Sequence, residues 1–200
     1  GPGADIRAGA VRPLGENGLA FELDCRGQKA VVQPALLYEE YIVNLLAAVG
    51  TCEALGVPLE AVVQGLAALR PLPRRGELFR LRKSVRLVDD SYNSNPRALA
   101  AALKGLGAFP ASRRVAVLGD MLELGEGGPG FHRAAGRQVV EFGWDLLVAV
   151  GPLAGLIAEG AREAGLDGRQ IFVFTSAGAA APDLSGLILG GDLVLVKGSR

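Results

Sequence analysis

Two carboxylates, two amides, a phenol and two hydroxyls fall within eight residues, Asp89-Asp90-Ser91-Tyr92-Asn93-Ser94-Asn95-Pro96. No packing requirement calls for so many polar groups in so short a turn. Their chemistry suits recognition of a small polar molecule: Asp90 can accept hydrogen bonds from ribose hydroxyls, and the amides of Asn93 and Asn95 can hold a polar substrate. Local structure explains part of the pattern. Asn95 is a favourable N-cap and Pro96 a favourable first helical residue, and Leu99, Leu103 and Leu106 follow at helical spacing. Capping leaves Asp90, Tyr92 and Asn93 unexplained.

Two other segments carry candidate chemistry. Leu118-Gly119-Asp120-Met121-Leu122-Glu123-Leu124-Gly125 reads either as a solvated strand-to-loop transition or as an acidic, glycine-bounded loop beside a ligand. Val196-Lys197-Gly198-Ser199-Arg200 is a strand end followed by cations, a glycine and a hydroxyl; it suits a carboxylate or phosphate, or is an ordinary basic chain end. His132, the only histidine, follows Gly127-Gly128-Pro129-Gly130; such a residue more often caps or packs near a helix start than acts as a catalyst, and its position allows either. A Ser-His-Asp triad would rest on it alone, and no Gly-x-Ser-x-Gly elbow is present. Cys25 and Cys52 are too few for a disulfide scaffold or zinc site and read as reduced core residues of a cytoplasmic protein. No residue is assigned a catalytic or metal-ligating role.

The elements that must position these groups follow from periodicity. Residues 10–33 read as β-structure, with hairpin turns at Asn17-Gly18 and Arg26-Gly27. Over 38–55 the period changes: Tyr41, Ile42, Leu45, Val49 and Cys52 share one helical face, and Gly56 suits a C′ position. Pro58 opens a second helix with Leu59, Val62, Val63 and Leu66 inward. Pro71-Leu72-Pro73-Arg74-Arg75-Gly76 then breaks the pattern and marks a domain boundary, dividing the chain into 1–75 and 76–200. Beyond it, apolar runs at 85–88, 115–118, 146–150, 171–174 and 193–196 recur at the spacing of βα units. Helices are expected near 96–106, 131–142, 153–164 and 177–189, with Pro182 obscuring the start of the last. The fold class is α/β: a Rossmann-like, mostly parallel sheet with flanking helices, preceded by a β-hairpin and a helical pair. Parallel strands would bring Asp89-Asp90, Gly119-Asp120, Gly151-Pro152, Thr175-Ser176 and Lys197-Gly198 to one rim, where open α/β sheets bind ligands.

Composition narrows the function. Among 200 residues, Lys+Arg balance Asp+Glu at 21 each, so little counterion release is available and nucleic acid is not an expected partner. Half the residues are apolar, yet no run reaches membrane-span length, so no membrane insertion is expected. The N-terminus lacks a signal-peptide pattern, and Gly1-Pro2-Gly3 reads as a cloning remnant. Lys29, Lys83, Lys104 and Lys197 all lie outside any Gly-x-x-x-x-Gly-Lys-Ser/Thr context, and the Gly-x-Gly-x-x-Gly dinucleotide fingerprint is missing after every strand.

The octet, Val115–Gly125 and Gly191–Arg200, in that order and spacing, resemble the Mur ligase family. The octet resembles most closely its MurF type, the UDP-N-acetylmuramoyl-tripeptide–D-alanyl-D-alanine ligases. Ala4-Asp5-Ile6-Arg7-Ala8 and the helical pair around Leu45–Leu66 resemble the end of that family's central ATPase domain. The resemblance implies an ATP- and magnesium-dependent amide-bond ligase of peptidoglycan precursor synthesis, cytoplasmic, joining D-alanyl-D-alanine to UDP-N-acetylmuramoyl-tripeptide. It further implies that Asn44, Arg75 and Asp90 meet ATP, and that Asn93, Asn95, Lys197 and Ser199 lie near the incoming dipeptide. Arg75 and Glu77 match the family's Gly-Arg-x-Glu linker, with Arg74 in place of its glycine. Asn44 matches the last position of a His-Asn-x-x-Asn element whose first two residues here are Glu40 and Tyr41. Since no P-loop is present and the chain ends before a closing helix, a truncated ligase, inactive alone, is expected. The rival expectations are a non-catalytic binding module derived from such a ligase, and a sister ligase for another amino acid.

Overall fold

Alternating side chains build the first of two compact units, Gly1–Pro71 and Leu72–Arg200. The structure is a computed structural model that describes residues 4–199. Gly1–Gly3, read as a cloning remnant, and Arg200, last of the C-terminal motif, lie outside the described residues. Strands β1 (Ile6–Pro13), β2 (Leu19–Cys25) and β3 (Gln28–Val32) form an antiparallel sheet in that order. Leu19, Phe21, Leu23 and Cys25 of β2 are buried. Arg26 and Gly27 both have positive φ (51° and 87°), as a tight two-residue turn between twisted strands requires. At Asn17-Gly18 the expected tight hairpin is a longer connection containing a 3-10 turn, Gly15–Asn17. There Gly18, at φ 94°, lies so near Pro34 O that a Cβ would overlap it. Helices α1 (Tyr41–Ala54) and α2 (Leu59–Ala67) cover this sheet. The stop of α1 is a Schellman motif: Gly56 N–H donates to Glu53 O and Val57 N–H to Cys52 O, both at 2.9 Å. Ile42, Leu45, Val49, Val62 and Leu66 join β2 in the core.

The second unit contains β4 (Glu77–Arg80), β5 (Arg86–Asp90), α3 (Pro96–Gly107), β6 (Arg113–Gly119), α4 (Gly128–Glu141), β7 (Leu146–Val150), α5 (Ala154–Glu163), β8 (Ile171–Phe174), α6 (Ala177–Leu187) and β9 (Asp192–Lys197). The sheet order is β4-β5-β9-β6-β7-β8, and only β4 runs antiparallel. Sequence periodicity misses β4, a four-residue edge strand with no buried side chain; the backbone of β5 recruits it. The central strands are buried on both faces, as the continuous apolar runs require. Val115, Val117, Val148 and Val194 line one face, packed with Leu184 and Leu187 of α6. Alternate residues such as Ala116, Leu118, Leu147 and Leu195, all 0% exposed, point to the other. Pro182 lies inside α6, which starts cleanly because Ser176 Oγ accepts from Ala179 N–H at 3.2 Å.

Candidate functional site

Strand register assembles the rim. Asp90 is opposite Lys197, Lys197 is opposite Leu118, Gly119 is opposite Val150, and Val150 is opposite Phe174. The carboxyl ends of β5, β9, β6, β7 and β8 therefore share one edge. Asp89 and Asp90 are the last two residues of β5 rather than the first beyond it, and Lys197 closes β9. Lys197 Nζ donates to Asp90 Oδ2 at 2.6 Å and to Asn93 O at 3.1 Å. Both side chains are buried. Burial pushes the Asp90 carboxyl above the ordinary aspartate value, against the opposing pull of Lys197 and Arg75. Asp90 Oδ1 has no hydrogen-bond partner among the described residues.

The octet is held as a shaped loop. Asp89 Oδ1 accepts from Ser91 N–H at 3.1 Å, and Asn95 Oδ1 caps α3 through Ala98 N–H at 2.8 Å. Asn93 Oδ1 accepts from Ser94 N–H at 2.8 Å. Ser199 Oγ lies 3.0 Å from Asn93 Oδ1 and 3.1 Å from Ser94 O, so its single proton serves one of these two acceptors. The preceding linker is strapped alongside: Tyr92 N–H donates to Arg74 O and Gly76 N–H to Asp89 O, both at 3.0 Å. The Arg75 guanidinium stacks 3.9 Å from the centre of the Tyr92 ring.

A second wall faces this loop. Ser199 N–H donates to Asp120 O at 2.8 Å, and Leu122 N–H to Ser199 Oγ at 3.2 Å. Between them, Met121 N–H donates to His132 Nε2 at 3.0 Å. His132 Nδ1 lies 2.7 Å from Gly128 O, so Nδ1 carries the proton and Nε2 is the acceptor. The two walls, Tyr92–Asn95 and Leu122–Leu124 with Ser199, enclose a cleft of about 380 Å³. The Ser94 hydroxyl, at its edge, is buried without a partner among the described residues. Asp120 itself is turned away to structural work: its carboxylate accepts from Leu153 N–H at 3.1 and 3.3 Å. Gly151 (φ 124°) makes room, since a Cβ there would lie 2.7 Å from that carboxylate.

Asp90, Asn93, Asn95, Lys197 and Ser199 are thus brought together, with Arg75 beside them. Asn44 is exposed on α1 in the other unit. Tyr92 and Glu123 lie in segments singled out by composition, but nothing in their spacing marks the first as the seat for Arg75 or the second as part of a cleft wall. The role of His132 depends on a backbone contact that spacing does not reveal.

Residues 74–200 match the family model described as Mur ligase, glutamate ligase domain. The chain belongs to the Mur ligase family. Within that family, the UDP-N-acetylmuramoyl-tripeptide–D-alanyl-D-alanine ligase of Synechocystis sp. is 33% identical over 160 residues, 78% of this chain and 34% of that protein. The ligase of the same name from Escherichia coli is 37% identical over 110 residues, 55% of this chain and 24% of that protein. The chain therefore spans a quarter to a third of the length of these curated Mur ligases. A crystal structure of MurF from Acinetobacter baumannii matches 100% of this chain and 43% of its own, with TM-score 0.88 and 31% identity. MurF from Thermotoga maritima, solved in complex with ADP, matches with TM-score 0.80 and 25% identity over 100% of this chain and 44% of its own. The Mur ligase fold implied by the three motifs is the fold found.

Proposed function

We propose that this chain forms the C-terminal part of a MurF-type ligase of peptidoglycan precursor synthesis, acting in the cytoplasm, and that the cleft receives D-alanyl-D-alanine for transfer to UDP-N-acetylmuramoyl-tripeptide. The observation that carries this is the meeting of all three family motifs around one cleft: the octet on one side, Leu122–Leu124 on the other, Ser199 between. Its volume falls in the range of small-molecule sites. The two walls are held by hydrogen bonds through Asn93, Asn95, Ser199 and the Leu122 N–H, so a bound amine would be positioned at little further entropic cost.

ATP, when bound, supplies the phosphoryl group that activates the peptide carboxylate. The residues here fit part of such a nucleotide. Asp90 keeps Oδ1 open for a ribose hydroxyl while Lys197 occupies Oδ2, and Arg75, exposed and stacked on Tyr92, offers a cation to it. Asn44 is assigned to adenine by resemblance alone. No group of three or more His, Cys, Asp or Glu that could hold a metal is present among the described residues, so magnesium is assigned to no residue of this chain. Lacking a phosphate-gripping Gly-Lys-Ser/Thr loop, the polypeptide alone binds but does not ligate.

A second reading, a binding module that has lost nucleotide recognition, is favoured by one feature. Glu40 and Tyr41 replace the family's His and Asn, and Tyr41 stacks on Tyr38 with ring centres 5.9 Å apart. NMR titration of the chain separates the readings. Shifts at Tyr92–Asn95 with D-alanyl-D-alanine, and at Arg75 and Asp90 with ADP, support the ligase. A folded chain that responds to neither overturns it.

A further inference from the structure

The cleft is chemically polarised. In both asparagines of the first wall the side-chain oxygen is already used by the protein: Asn93 Oδ1 by Ser94 N–H and Asn95 Oδ1 by Ala98 N–H. Those backbone donors fix the amide orientation and leave each Nδ2 as a donor with no partner among the described residues. The opposite wall carries Glu123, exposed, with no hydrogen bond or ion pair among the described residues. Among the described residues it is the one charged residue lining the cleft. Lys197, the described cation of the C-terminal motif, is committed to Asp90 and Asn93 O. One wall thus offers two amide N–H donors whose own carbonyl oxygens are already taken, beside the buried Ser94 hydroxyl. The other offers one anion.

From this we infer that Glu123 is a specificity-determining residue that receives the ammonium of a zwitterionic ligand, while the Nδ2 groups of Asn93 and Asn95 receive its carboxylate. The inference rests on the proposal that D-alanyl-D-alanine enters this cleft, and adds its orientation: amine end toward the Leu122–Leu124 wall, carboxylate end toward the start of α3. A singly charged analogue loses one of the two anchors, and an uncharged one loses both.

Three ligands and three proteins test it by NMR titration. The ligands are D-alanyl-D-alanine, its N-acetyl derivative, which lacks the ammonium, and its C-terminal amide, which lacks the carboxylate. The proteins are the unaltered chain, Glu123→Gln and Asn95→Asp; the last keeps a capping oxygen for Ala98 N–H but replaces the Nδ2 donor by an anion. Glu123→Gln is expected to weaken the dipeptide about fivefold, the scale of one exposed charge-assisted contact, and to leave the N-acetyl derivative unchanged. Asn95→Asp is expected to weaken both ligands that carry a carboxylate and to spare the amide. The orientation is overturned if the unaltered chain binds the dipeptide and its N-acetyl derivative equally, or if Glu123→Gln weakens both alike. No binding of the dipeptide by the unaltered, folded chain overturns the reading of the cleft itself, and the orientation with it.

Discussion

At the residue scale the informative position is Arg74. The linker resemblance leads one to expect glycine there, and Arg74 holds φ 62°, the left-handed region that glycine enters without steric penalty. The hydrogen bond that Arg74 O accepts from Tyr92 N–H holds the backbone in that conformation. Arg74→Gly is therefore expected to raise stability by about 0.5–1 kcal/mol, seen as a higher thermal midpoint; a lower midpoint would show that the arginine side chain contributes something the turn needs. The Asp90–Lys197 pair makes a pH-dependent prediction. Removing the cation in Lys197→Met leaves a buried carboxylate unpaired, at a cost of about 3 kcal/mol near neutral pH. Asp90 is raised above the ordinary 3.8, so its charged form opposes folding. That opposition is absent below about 3.8, where both states are protonated, and grows as pH rises through the raised folded value. The stability gap between parent and variant, measured by urea melts, should widen from pH 3.5 to pH 7; a gap independent of pH would contradict the pairing. Residue chemistry was legible in sequence where partners are local, as in the Asn95 cap. It was not legible where the partner is distant, as with Asp120, whose carboxylate serves a backbone N–H 33 positions away.

At the element scale, the cleft's second wall depends on α4. His132 is fully buried and ties Met121 N–H to the first turn of its own helix, so the loop ahead of α4 is anchored from below while Ser199 anchors it from the side. His132→Phe keeps bulk but leaves Met121 N–H and Gly128 O without that bridge. A loss of about 1–3 kcal/mol is expected for the buried unsatisfied groups, with faster hydrogen exchange at Met121 and Leu122. Exchange unchanged at these amides would show that packing alone holds the wall. Periodicity located α3 and the buried strands because their apolar pattern is the physical cause of their burial. It could not locate β4, whose pairing with β5 is a backbone event, nor the long β1–β2 connection, where Gly18 is dictated by contact with Pro34 rather than by turn type.

At the scale of the whole molecule, each unit has its own core. Leu23 of β2 and Leu103 of α3 are both 0% exposed, one in each unit. Truncating either to alanine should cost about 2–5 kcal/mol in its own unit. The first unit spans only 71 residues, including those not described, and so buries a smaller fraction of its surface than the second. Leu23→Ala is expected to speed hydrogen exchange across β1–β3, α1 and α2 while leaving the protection of β6, β7 and β9 unchanged. Leu103→Ala should do the reverse and abolish dipeptide-induced shifts at Tyr92–Asn95, since α3 carries the cap that orients Asn95. Loss of protection throughout the chain from either substitution would show that the units unfold as one. The outcome bears on function directly. A cleft built wholly from residues of the second unit should keep its affinity for D-alanyl-D-alanine when the first is loosened, and any contribution of Asn44 to nucleotide binding should be lost in the same experiment.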